Sequence, residues 1–285
     1  LKFYSLNVNG LKSGDRMARL YEWLEDQCFD IVLLQETHLT EEKKCKESNF
    51  FEEYPRYSDS NKTKGVSILV RKSSPKFKYI TVRELNSESE HHTLKYGGKS
   101  HVTVTYKGET FHLINVYVPH SGKKDKNKFL LNLFNYMMDK CKENLDNIIL
   151  AGDFNCHRDY PEKQKDSGDK CLEQIIENFS LMDAWTTRSV ETSEEGNTYI
   201  KAIKNGPVKR IDYVFFTEKL IFPLFGITTR EPLDSTDSDN SGSSARTYER
   251  YSDHDGLYFS LNTSKVVIAD SDEESSDSSG SSDSV

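Results

Sequence analysis

Cysteine is scarce and its spacing is uninformative: the 285-residue chain has five, Cys28, Cys45, Cys141, Cys156 and Cys171, an odd number without a Cys-x-x-Cys pair. This excludes a disulfide framework as the organising device, indicates no structural zinc motif, and favours free thiols in a reducing compartment. Long apolar runs are missing too, so no segment approaches the about 18 apolar residues of a membrane-spanning helix. The chain opens on strand-like residues without an initiating Met, as expected of a trimmed chain or a domain excised from a longer product. Trp is sparse, with two residues, but 15 Phe, 15 Tyr and 35% apolar content fill a sizeable core of one large domain. Positive charge is in deficit, at a net −8. Five of those eight charges come from the last stretch, where Lys265 faces Asp270, Asp272, Glu273, Glu274, Asp277 and Asp283. The body is close to neutral, and its low pI is no argument against a nucleic-acid ligand.

Strands are expected at LKFYSLNVNG, FDIVLLQE, GVSILVRK, NIILAGDFN, KRIDYVFFTEKL and GLYFSLN. HVTVTYKGETFHLINVYVP reads as a hairpin turning at Lys107-Gly108-Glu109. Helical stripes run through Met17, Leu20, Tyr21 and Leu24, through Phe129, Leu130, Leu133, Phe134, Met137, Met138 and Cys141, and through Leu172, Ile175, Ile176 and Phe179. A polar loop is expected from His157 to Asp169. Intermixed helices and strands with hairpins predict an α/β fold of two mixed sheets packed face to face, helices outside. The body is read as one domain over 1–264 and the acidic, Ser-rich 265–285 as a disordered tail. The run 234–244 reads as a surface loop.

Five apolar runs end in polar residues with chemistry. They carry Asn7 and Asn9, then Glu36, Asp153 with Asn155, Asp212, and Asp253 with His254. A charge inside a core costs several kcal/mol unless paired or metal-bound, so these strand ends belong at a rim. Glu36 and Asp253, helped by Asn7, are the oxygen ligands that a hard divalent cation such as magnesium requires. Asn155 and Tyr117 are candidate donors to phosphate oxygens, and His254 a proton carrier or phosphate binder whose tautomer Asp212 sets.

The motifs LNVNGL, LLQETHL, INVYVP, AGDFN, KRIDYVFF and YSDHDG, in this order, resemble the endonuclease/exonuclease/phosphatase superfamily over Leu1 to Asn262. The resemblance implies a four-layered α/β sandwich, DNase I-like, that cleaves phosphoester bonds with magnesium or manganese. It implies metal-site roles for Asn7, Glu36 and Asp253, and scissile-phosphate roles for Tyr117 and Asn155. Asp153 resembles the residue that activates water or protonates the leaving oxygen, and Asp212 the orienter of His254. QETHL, NVYVP and RIDY resemble abasic-site endonucleases, exodeoxyribonuclease III and the endonuclease domains of non-LTR retrotransposons. The expected function is a magnesium-dependent endonuclease nicking duplex DNA, retrotransposon-type. An abasic-site endonuclease or 3′-exonuclease of DNA repair, and a catalytically silent protein-binding scaffold, are the alternatives. A nuclear or nucleocytoplasmic location goes with either nuclease reading.

Asn9, Lys62, Lys64, Lys123, Lys124, Lys126 and Arg158 are candidate DNA contacts. In the tail, Val266, Val267 and Ile268 before acidic residues resemble a SUMO-interacting motif, and Ser271, Ser275 and Ser276 resemble acidophilic-kinase sites.

Overall fold

In the first strand, β1 (Lys2–Asn7), successive side chains point to opposite faces, and both faces are covered. Phe3 enters one core together with Ile31, its register partner on β2 (Ile31–Gln35), while Tyr4, Leu6, Val32 and Leu34 enter another. Burial on two faces is what turns an alternating pattern into the continuous apolar runs of the sequence. The computed structural model describes residues 1–11, 14–39, 50–54, 65–85, 97–120, 122–187, 199–200, 208–228, 233–234, 248–249 and 254–262.

Helix α1 (Gly14–Asp26) joins β1 to β2, and β3 (Phe51–Tyr54), β4 (Val66–Arg71) and β5 (Ile80–Glu84) follow. The hairpin of β6 (Gly98–Tyr106) and β7 (Glu109–Tyr117) leads to α2 (Lys123–Lys140) and β8 (Ile148–Asp153). Then come α3 (Ser167–Asn178), β9 (Leu181–Asp183), α4 (Ala184–Thr187) and a short pair, β10 (Tyr199–Ile200) with β11 (Val208–Lys209). The chain continues through β12 (Asp212–Thr217), β13 (Ile221–Thr228), a second short pair of β14 (Leu233–Asp234) and β15 (Tyr248–Glu249), and β16 (Gly256–Asn262).

Two six-stranded sheets form, ordered β13-β16-β1-β2-β4-β3 and β5-β6-β7-β8-β12-β9. Each is antiparallel except for one parallel pair, β1 with β2 and β7 with β8. Phe3, Leu33, Val104, Phe111, Ile149 and Phe259 fill the core between the sheets. Leu20, Tyr21 and Leu24 of α1 pack on the outside of the first sheet, and Phe129, Leu133, Leu172 and Ile175 of α2 and α3 on the outside of the second. The architecture is the four-layered sandwich expected. Lys107 (φ 51°) and Gly108 (φ 81°) make the two-residue hairpin turn at the expected place.

The polar segment before α3 differs from expectation at its end. Asp166 caps the helix, its side chain accepting from the amides of Gly168 and Asp169 while Asp169 returns a bond to the Asp166 amide, so 167–169 is the first helical turn and not loop.

Candidate active site

The parallel pairs point their carboxyl ends to one rim of the sandwich. Asn7 is the last residue of β1, Glu36 follows the last residue of β2, Tyr117 ends β7 and Asp153 ends β8. Register does the rest within the second sheet: Asp153 sits opposite Tyr117 on one side and Asp212, the first residue of β12, on the other. His254 stands just before β16, the antiparallel neighbour of β1.

Side chains from the two sheets meet across the rim. Asn7 Nδ2 donates to Glu36 Oε1 at 3.0 Å and to Asp153 Oδ2 at 2.9 Å. His254 Nδ1 lies 2.8 Å from Asp212 Oδ2, and its Nε2 lies 4.0 Å from Asp153 Oδ2. With a carboxylate oxygen as acceptor, Nδ1 donates to Asp212 and Nε2 is left facing Asp153. Asn155 donates its backbone N–H to Asp153 Oδ1 at 2.9 Å and its amide to Asp153 Oδ2 at 3.3 Å and Val118 O at 2.8 Å. Its amide nitrogen therefore aims Asp153. Glu36 (φ 51°) and Asn155 (φ 48°) both take the left-handed conformation, a costly backbone state for such residues that turns each side chain inward immediately past a strand end.

These surroundings set the charges. Burial, then the neighbouring Asp212 charge, push the Asp153 carboxyl up to about 7 against the pull of His254 and Asn7. Burial would raise Glu36 also, but hydrogen bonds from His38, Asn7 and Tyr117 outweigh it and hold that carboxyl at about 2. Tyr117 is raised by burial and by the charges of Glu36 and Asp153, so it remains a phenol and a donor. One rim thus holds an ionised acid, an acid poised near neutrality and an imidazole with a fixed tautomer. The ligand atoms of Asp153, Asp212 and His254 all lie within 4.8 Å of one another, an oxygen-rich set able to hold a divalent cation.

Asn7 Oδ1 accepts from the Asn9 amide at 3.0 Å, which turns its nitrogen toward the carboxylates, and Asn9 serves to orient Asn7. Lys123 and Lys124 are exposed in the first turn of α2. Lys126 and Arg158 carry charge that is compensated internally. Lys126 is buried with Nζ 3.1 Å from Asp166, and the Arg158 guanidinium lies 2.7 Å from Asp183 and 3.1 Å from Glu173. Their sequence neighbours are polar, but these carboxylates come from distant elements. Lys62, Lys64, Asp253, Val266, Val267, Ile268, Ser271, Ser275 and Ser276 lie outside the described residues, as does most of the 234–244 run.

Two histidines that sequence reasoning did not single out join the site. His38 Nε2 is 3.3 Å from Glu36 Oε2, and His120 Nδ1 is 3.3 Å from Asn155 Oδ1. Each lies within three residues of an assigned residue, His38 inside QETHL and His120 after NVYVP, and that proximity was the available signal.

The fold and this rim define a protein class: the chain belongs to the endonuclease/exonuclease/phosphatase family, whose model matches residues 4–254. That family is typically one of metal-dependent phosphodiesterases and nucleases. Among curated proteins, the chain is 29% identical over 231 residues to the Transposon TX1 uncharacterized 149 kDa protein of Xenopus laevis. The match takes in 78% of this chain but 16% of that relative's length. Among solved structures, it resembles the endonuclease domain of TRAS1, a telomere-specific non-LTR retrotransposon, at 14% identity and a TM-score of 0.61, covering 93% of this chain and 99% of that one. D. rerio TDP2 complexed with single strand DNA product matches at 20% identity and 0.61, covering 92% and 99%. A Bacteroides vulgatus family member matches at 14% and 0.66, covering 92% and 98%. At these identities the structures show a shared fold.

Proposed function

We propose that this chain is a DNA endonuclease of retrotransposon type, using magnesium, with manganese as the substitute, to hydrolyse a phosphodiester and nick duplex DNA. The observation that carries the reading is the meeting of Asn7, Glu36, Asp153, Asp212 and His254, from two sheets, at one rim. Similarity to a transposon protein, and the fold shared with a retrotransposon endonuclease domain, support the branch. The DNA product on one structural relative supports DNA as the partner.

The residues present fit a hard cation. Three carboxylates crowd the rim, and Asp153 is raised by burial and by the neighbouring Asp212 charge. Glu36, with Asp153 and Asp212 nearby and Asp253 next to His254 in sequence, would hold the ion, and when bound it would stabilise charge on the phosphoryl and leaving oxygens.

The chain's own groups account for the proton movements. Asp153 removes a proton from the attacking water, whose oxygen bonds to phosphorus as the bond to the ribose oxygen breaks. Asn155 and Asn7 hold the Asp153 carboxylate in place. Tyr117, kept protonated, donates to a phosphate oxygen. His254 binds the phosphate as imidazolium or delivers a proton to the leaving oxygen, with Asp212 holding the ring.

The test is relaxation of supercoiled plasmid with magnesium and with EDTA, run beside a duplex containing a tetrahydrofuran abasic analogue. Magnesium-dependent nicking of intact DNA without a large preference for the analogue is expected. A strong preference for the analogue would assign the chain to the repair branch, and no cleavage of either would remove the nuclease reading.

A further inference from the structure

A second group of metal-ligating side chains lies away from the rim, where the second sheet meets α2. His101 comes from β6, His112 from β7, and Cys141 directly follows α2. All three are buried, and one ligand atom of each lies within 4.8 Å of the other two. His101 Nε2 faces His112 Nδ1 at 2.9 Å, and His101 Nδ1 meets the Tyr136 hydroxyl at 2.9 Å. Nothing in the spacing hints at this group, because its members are 11 and 29 residues apart and follow no zinc-finger pattern.

A hydrogen-bonded chain of Tyr136, His101 and His112 satisfies these rings without a metal. Three observations go further. The ligand types, two imidazoles and a thiol, are the borderline-to-soft set that selects zinc over magnesium. Tyr136 engages the outer nitrogen of His101, which is how a ligating imidazole is usually oriented, with the other nitrogen left for the ion. Cys141 also stands at the carboxyl end of an 18-residue helix, where the backbone dipole favours a cation.

The nearby positive charges are Lys99 and Lys140. Lys99 lies over the Tyr136 ring with Nζ 3.5 Å from its centroid, and Lys140 pairs with Asp139 at 3.2 Å. Two nitrogens on a tetrahedral zinc are about 3.3 Å apart and the sulfur is about 2.3 Å from the ion, so the rings would part by a few tenths of an ångström and the thiol would close in.

We propose that His101, His112 and Cys141 form a zinc site, distinct from the phosphodiester rim, that ties β6 and β7 to the end of α2. Binding converts the Cys141 thiol to thiolate and releases one proton to solvent. The three side chains supply three of the four positions of a tetrahedral zinc, and the effect is read on stability.

The test uses the whole chain, loaded with zinc and then dialysed against excess magnesium. Retention of one zinc per chain by mass spectrometry is expected. Cobalt loading should give an intense near-ultraviolet thiolate-to-cobalt band that Cys141→Ser abolishes and Asp153→Ala leaves in place. Zinc should raise the wild-type melting temperature and not that of Cys141→Ser. A wild-type protein that retains no zinc and gives no cobalt–thiolate band would overturn the proposal, and this result does not depend on any variant folding. A band that survives Cys141→Ser would overturn it as well, by assigning the thiolate to another cysteine. Plasmid nicking is read separately, so failure here leaves the rim's assignment intact.

Discussion

At the residue scale, the rim depends on His254 being held in one tautomer and on Asp153 having two amides against it. Asp212→Asn keeps the shape but removes the negative charge that orients the ring through Nδ1 and favours the imidazolium, so His254 binds phosphate and supplies its proton less well. Plasmid nicking should fall by about 10^2-fold or more, with an unchanged melting temperature. The sequence located Asp153, Asp212, Glu36, Asn7, Asn155, Tyr117 and His254 because each stands at a strand end, where a polar residue after apolar ones is conspicuous. No local pattern shows that Lys126 and Arg158 are ion-paired, because their partners Asp166, Asp169, Glu173 and Asp183 come from the cap of α3, from α3 itself and from β9.

At the element scale, the strands split cleanly. The eight expected from sequence, β1, β2, β4, β6, β7, β8, β12 and β16, are the inner strands of the two six-stranded sheets; the remaining four strands of those sheets, β3, β5, β9 and β13, are their edges. Inner strands need apolar residues on both faces and so announce themselves. Edge strands such as β5, whose residues are all half-buried or exposed, and the three-residue β9 carry no such pattern. Close approach also sets a limit: Gly152 (φ 134°) lies against β7 so tightly that a Cβ would strike the Val116 carbonyl. Gly152→Ala should lower the unfolding free energy by more than about 2 kcal/mol in urea titration.

The far end of β2 has its own polar hub. Asp30 accepts from the Lys2 amide at 2.8 Å, Ser74 Oγ at 2.6 Å and Lys76 Nζ at 2.8 Å, joining β1, β2 and the turn after β4. Burial opposes its charge, but these bonds, with Lys76 foremost, prevail and lower its pKa below 3.8. Because the folded value is the depressed one, the stabilisation is present above pH 3.8 and is lost as pH falls through the folded pKa. Asp30→Asn should therefore be less stable at neutral pH, by about 1 to 2 kcal/mol, and lose less stability than wild type on acidification below about pH 4. Denaturant midpoints across that range check both.

At the scale of the whole molecule, the rim belongs to neither sheet alone. Asn7 and Glu36 come from the first sheet and Asp153 and Asp212 from the second, so the site exists only when the central core of Phe3, Leu33, Ile149 and Phe259 has brought the sheets face to face. No sequence pattern encodes that distance directly; it follows from the packing of two buried surfaces. The claim with the most weight on it is that this shared rim hydrolyses a phosphodiester. The direct measurement is plasmid nicking with magnesium by wild type, Asp153→Ala and His254→Ala, each shown folded by circular dichroism. Losses of about 10^2 to 10^4 in each variant are predicted. Equal activity in all three would contradict the account.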